Sequence, residues 1–163
     1  MPKAVSNAGP LIALASIGQF GLLQSLFGEV LIPPTVRAEI LAGGEGEAGV
    51  SDLAAADWVK TITVKDDLAV QLLRDELGAG ESEAIVLAKE VSADWTLLDD
   101  LAARRKAQTA GLRVVGTLGI LLMAKSSDHI PTVKPLVDRL RQGDFRMSTE
   151  LYEHILQQAG ETA

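Results

Sequence analysis

Gly78-Ala79-Gly80-Glu81-Ser82-Glu83-Ala84-Ile85-Val86-Leu87-Ala88-Lys89-Glu90, followed shortly by Trp95-Thr96-Leu97-Leu98-Asp99-Asp100-Leu101-Ala102-Ala103-Arg104-Arg105-Lys106-Ala107, is the stretch around which this chain is organised. Ala84, Ile85, Leu87 and Ala88 carry the spacing of a helix with one buried face, and Glu81 and Glu83 fall in its first turn. Trp95 to Leu98 is a short apolar run that reads as a buried strand, and Asp99 and Asp100 stand at its end. Carboxylates held at a strand tip opposite others on a neighbouring helix repel one another unless something positive binds them. Acidic residues in a first turn also answer the helix dipole, so either pair alone reads equally as a set of caps.

The same alternation continues outward. Ala4 to Ser6 is a first strand, ending at Asn7-Ala8-Gly9-Pro10, where Asn caps a helix and Pro is tolerated in its first turn. A short apolar helix (Leu11, Ile12, Leu14, Ala15) stops near Gly18, and a second (Phe20, Leu22, Leu23, Leu26, Phe27) ends at Gly28. Val30 to Ile32 is a buried strand, and Pro33-Pro34-Thr35 opens a helix bearing Val36, Glu39, Ile40 and Leu41. Trp58 to Val64 alternates as a strand, and Asp66 to Leu77 is an amphipathic helix closed by Gly78. Leu101 to Ala110 is a helix, Arg113 to Val115 a last strand, and helices follow at Thr117–Lys125, at Pro131–Arg141 and after Ser148. Gly44, Gly46 and Gly49 spell a G-x-G-x-x-G, but it follows a helix instead of a strand, and Glu45 and Glu47 would repel a pyrophosphate, so it reads as a surface connection.

Strands alternating with helices predict an α/β fold: three layers, α/β/α, around a central parallel sheet. At 163 residues the length is that of one domain spanning 1–163. Ligands of such sheets bind beyond the carboxyl ends of the strands, where strand order reverses. Asn7 follows the first strand, Glu39 lies on the helix after the second, and Asp99 and Asp100 follow the fourth, so all can converge with Glu83 at one crevice.

Composition narrows the chemistry. There is no cysteine, which excludes disulfides, thiolate metal sites and a cysteine nucleophile. His129 and His154 lie far apart without metal-ligand spacing. The N-terminus lacks a signal pattern, and Leu118 to Ala124, the most apolar segment, is too short to span a bilayer, so a cytoplasmic protein is expected. The net charge of −7 weighs against general nucleic-acid binding, but it is unevenly spread: residues 1–100 hold 6 Lys+Arg against 16 Asp+Glu, and residues 101–163 hold 9 against 6. The acidic part holds the candidate site; Arg104, Arg105 and Lys106 supply a basic patch beside it.

Five segments together resemble the PIN-domain family, in its bacterial and archaeal branch of unknown function found beside antitoxin-like genes: Val5 to Leu14, Ile32 to Ile40, Gly80 to Ile85, Leu97 to Ala107 and Gly116 to Lys125. The resemblance implies a metal-dependent ribonuclease with Glu39 as the second acidic position, Glu83 (with Glu81 close by) as the third, and Asp99 or Asp100 as the fourth. The family's first acidic position is Asn7 here, and its small hydroxyl residue two places on is Gly9. Oxygen-only ligands suit Mg²⁺ or Mn²⁺, with Asn7 offering a carbonyl oxygen beside Glu39, Glu81, Glu83, Asp99 and Asp100. RNA, an antitoxin protein and a second copy of the chain are the expected partners, with Arg104, Arg105 and Lys106 contacting phosphates. The missing charge at Asn7 equally fits a module that binds RNA or protein without cutting, and a purely structural reading keeps the acids as caps.

Overall fold

Apolar and small residues, buried from both sides, build the centre of the sheet, while the edge strand at Val59–Thr61 exposes Lys60 and Thr61. The computed structural model describes residues 2–162. Strands β1 (Ala4–Ser6), β2 (Val30–Ile32), β3 (Val59–Thr61), β4 (Trp95–Leu97) and β5 (Val114–Val115) lie in the order β3-β2-β1-β4-β5, and every pairing is parallel. Ser6 stands opposite Leu97 in the register of β1 with β4, so both strands end at the same level. Strand order reverses between these two, and Asn7 leaves the sheet there with its N–H on Leu97 O, two residues before Asp99.

Successive strand residues point to opposite faces, and the core divides accordingly. Ala4, Val30, Ile32, Val59 and Leu97 pack on one side with helices α1 (Ala8–Ser16), α2 (Leu22–Phe27), α3 (Pro34–Leu41), α4 (Val50–Ala55), α8 (Thr117–Ser126), α9 (Lys134–Gln142) and α10 (Thr149–Gln158). Val5 and Leu31 pack on the other with α6 (Ala79–Glu90) and the inner edge of α5 (Asp67–Leu73), while α7 (Leu101–Thr109) closes that side through Ala103 and Ala107. This is the three-layer α/β/α arrangement with a central parallel sheet. Among the described residues no helix is long and apolar enough to cross a membrane.

The structure departs locally from the sequence reading, as at the third strand, at α4, at α5 and at α9, which begins at Lys134 instead of Pro131. Regular strand structure is confined to Val59–Thr61 instead of running from Trp58 to Val64: Trp58 packs against Phe20 before the strand begins, their rings tilted with centroids 5.3 Å apart, and Val64 turns into the second core. Helix α4 has no counterpart in the sequence reading; with Leu53 as its one buried residue, it carries no periodicity to detect. Helix α5 stops at Leu73, and Leu68 and Leu72 remain exposed on its outer face. The connection containing Gly44, Gly46 and Gly49 places all three at positive φ (85°, 87° and 90°), so these glycines serve left-handed turns.

Candidate active site

Asn7 is the residue between β1 and α1. Its backbone N–H donates to Leu97 O at 3.1 Å, which ties it to the end of β4, while its side chain makes no capping bond to α1. The Oδ1 atom is buried and has no hydrogen-bond partner among the described residues. Such an atom carries a desolvation cost that a donor or a cation at this point would remove.

Glu39 approaches from α3 and meets α6 where that helix has no side chain. A Cβ built on Gly80 would collide with Glu39 Oε1 and lie 3.1 Å from Asn7 Oδ1. The bare Cα of Gly80 is thus what lets the two oxygens come together. Burial, then the neighbouring carboxylates Glu81 and Glu83, push the Glu39 pKa above its ordinary value, against the pull of the Gly80 N–H.

Asp99 lies across the reversal point on the β4 side. Its Oδ1 accepts the Thr117 N–H and its Oδ2 the Thr117 hydroxyl, both at 2.7 Å. This carboxylate sits on the N-terminus of α8, where the helix dipole favours negative charge. Burial nevertheless raises its pKa, outweighing the two Thr117 bonds and the nearby Arg104 guanidinium. A Cβ on Gly116 would stand 2.8 Å from Asp99 Oδ1 and 2.7 Å from Arg104 Nη1, and one on Gly9 would stand 3.6 Å from Asp99 Oδ2. Glycines at 80 and 116 therefore leave room for these acids, whereas a Cβ at Gly9 would meet Asp99 in ordinary contact.

A family model described as PIN domain matches residues 3–161. This chain belongs to the PIN-domain family. The fold is also that of a PilT N-terminus domain protein from the hyperthermophilic archaeon Sulfolobus solfataricus P2, with a TM-score of 0.53 at 18% identity over 75% of this chain and 92% of that one. No curated protein matches the sequence.

In this PIN domain the other expected site residues divide by position. Glu83, half-buried, faces Glu39 from the second turn of α6. Glu81 folds back onto its own helix: its Oε1 accepts the Gly78 N–H at 3.2 Å, as the reaching-back partner of a cap. Its pKa is raised by burial, against the Gly78 bond, and further by Asp100. Asp100 is exposed and caps α7, its Oδ2 accepting the Ala103 N–H at 2.9 Å. Of the two adjacent aspartates, Asp99 enters the crevice and Asp100 serves its helix. Arg104 lines a cavity together with Asp99, and Arg105 is exposed on α7. Lys106 does not lie at the crevice; it pairs with Glu76 at 2.8 Å and edges a separate groove floored by Leu72 and Ile85. Consecutive residues of a helix do not share a face, so a basic triplet on α7 cannot act as one patch.

PIN domains are generally metal-dependent nucleases, a use that calls for oxygen donors able to hold a divalent ion. Among the described residues, no three Asp, Glu or His side chains stand together closely enough to hold an ion by themselves. Mg²⁺, however, dehydrates reluctantly and uses one or two carboxylates together with several waters. The unpartnered Asn7 Oδ1 beside Glu39, with Asp99 across the crevice, fits that sparse and all-oxygen demand. Thr117, Gly80 and Gly116 went unnoticed in the sequence as site residues. Thr117 opens a helix directly after the fifth strand, and that placement is the signal that could have found it.

Proposed function

We propose that this chain is a divalent-metal-dependent ribonuclease hydrolysing RNA phosphodiesters, and that it acts as the toxin of a toxin–antitoxin pair. The observation that carries the nuclease reading is the meeting of Asn7 Oδ1 and Glu39 over Gly80, with Asp99 opposite. Asn7 and Glu39 would hold Mg²⁺ or Mn²⁺ with waters completing the shell, and Glu83 and Asp99 would add negative charge from around the crevice. A bound ion of this kind neutralises phosphate charge and lowers the pKa of a coordinated water. The chain's own residues have definite tasks around it. Thr117 fixes the Asp99 carboxylate through two bonds, so it is oriented before any ligand arrives. Arg104 lies beside Asp99 without an ion pair of its own among the described residues, and is free to meet a phosphate oxygen. The antitoxin and a second copy of the chain belong to this proposal as protein partners, on the strength of the branch the sequence resembles.

Asn7 favours a second reading, in which the crevice binds RNA or a partner protein without cleaving it, because an amide holds a cation less tightly than a carboxylate. Melting and cleavage assays separate the two. An ion bound only by the native state at a hundred times its dissociation constant stabilises by about 2.7 kcal/mol. Mn²⁺ should raise the thermal midpoint and support RNA cleavage, and Asp99→Asn should diminish both. Mn²⁺-dependent melting without cleavage selects the binding module; no effect of Mn²⁺ on either removes the nuclease reading.

A further inference from the structure

Resting on the ribonuclease reading, we propose that Phe145 is a base-stacking platform for single-stranded RNA, with Arg104 and Arg146 holding the phosphate beside it. Phe145 lies on the irregular connection between α9 and α10, a segment the sequence reading assigned no role. It lines two cavities that reach the crevice from different sides. One, of about 440 Å³, contains Glu39 together with Gly9 and the apolar Ile12 and Ile40. The other, of about 330 Å³, contains Asp99 with Arg104 and Arg146. Phe145 is thus common to the linings of both cavities.

The two cavities differ in charge in a way that orients a nucleotide. The Glu39 side also carries Glu47 and Asp144 against the single cation Arg139, so a phosphate is disfavoured there while an uncharged base is not. The Asp99 side holds two guanidiniums against one carboxylate. A base resting on Phe145 in the first cavity would leave its phosphate facing Arg104 and Arg146 in the second, next to Asp99. Stacking on an aromatic ring tolerates any base, and in a chain of net charge −7 this local cationic pair is what a polyanion would find. Phe145 also packs partly against the main core, so the test must keep its bulk while removing its ring.

The experiment is binding of a short single-stranded RNA carrying one 2-aminopurine, followed by anisotropy and by base fluorescence, with Ca²⁺ in place of Mg²⁺ to suppress cleavage. Phe145→Leu should weaken binding roughly tenfold and abolish the quenching that stacking causes, while Phe145→Trp retains both. Arg146→Ala, on an exposed side chain that carries no core packing, should weaken binding and lower the salt slope by about one. Wild-type binding and quenching left unchanged by Phe145→Leu would overturn the platform and leave the ribonuclease reading standing. If Phe145→Leu fails to fold, a wild-type quenching signal that Phe145→Trp loses, or an Arg146→Ala variant that binds as wild type, overturns it instead. Cleavage of RNA by a wild type whose bound base is never quenched has the same meaning; no binding and no cleavage by the wild type removes both.

Discussion

Asn7 and Glu39 show how a single charge sets the character of this crevice. Glu39 already titrates high because it is partly buried and faces Glu81 and Glu83, and the amide beside it adds no further repulsion. Asn7→Asp would place a second carboxylate within reach of the first, around a glycine that offers no screening side chain. Without a cation that change should lower the thermal midpoint; with Mn²⁺ it should enlarge the ion-dependent rise and increase RNA cleavage. Melting with and without Mn²⁺, together with a cleavage assay, checks this. If the variant alters neither the Mn²⁺ response nor the cleavage rate, the crevice is not a weakened metal centre.

Secondary elements decide which acid does what, and here adjacent residues part company. Asp99 binds the first turn of α8, eighteen positions on, whereas Asp100 caps the helix that it opens itself. Asp100→Ala should therefore cost about 1 kcal/mol of stability and leave Mn²⁺ binding intact, with Asp100→Ser recovering most of the loss. Asp99→Ala should abolish the Mn²⁺ response; equal Mn²⁺ responses in the two alanine variants would refute the division. Gly80 makes the same point for α6. Alanine in a helix is ordinarily favoured over glycine by about 1 kcal/mol, yet Gly80→Ala would drive Glu39 away from Asn7. It should bring no gain in midpoint and a weaker Mn²⁺ response, both read from the same melts. The strand–helix alternation and the placing of Asn7 and Asp99 after the neighbouring strands β1 and β4 were legible because they follow from parallel topology, which delivers the ends of those strands to one place. The choice between Asp99 and Asp100 was not legible, since it depends on where α8 begins in space. Nor were the roles of Gly80 and Gly116, because an absent side chain acquires meaning only from the atoms that occupy its place.

Among the described residues the shifted carboxylates fall into two sets of opposite sign. Glu39, Glu81 and Asp99 have folded-state pKa values above their ordinary ones, chiefly through burial. Ionised at neutral pH, they oppose folding, and that penalty is relieved as pH falls through their raised values. Asp138 and Glu161 are lowered. Tyr152 and Lys134 bond to Asp138, and at Glu161 the bonds from Lys125, Val133 and Lys134 outweigh burial, locking the C-terminal segment to α8 and α9. Their stabilisation is complete above the ordinary carboxylate range and is lost as pH drops through their lowered values. Without divalent ions, the thermal midpoint should therefore rise from pH 7 to about 5 and fall below about 4, where unperturbed carboxylates titrate. Relief of the overall charge of −7 works in the same direction on the first limb, so a variant must separate the two. Glu39→Gln with Asp99→Asn should flatten the rise between pH 7 and 5 and leave the acid fall in place, while Glu161→Gln should do the reverse. Mn²⁺ should flatten the same upper limb in the wild type by raising its pH 7 end, since ion and proton relieve the same repulsion. An upper limb as steep in the double variant as in the wild type would mean that general charge relief, and not this crevice, governs the pH response.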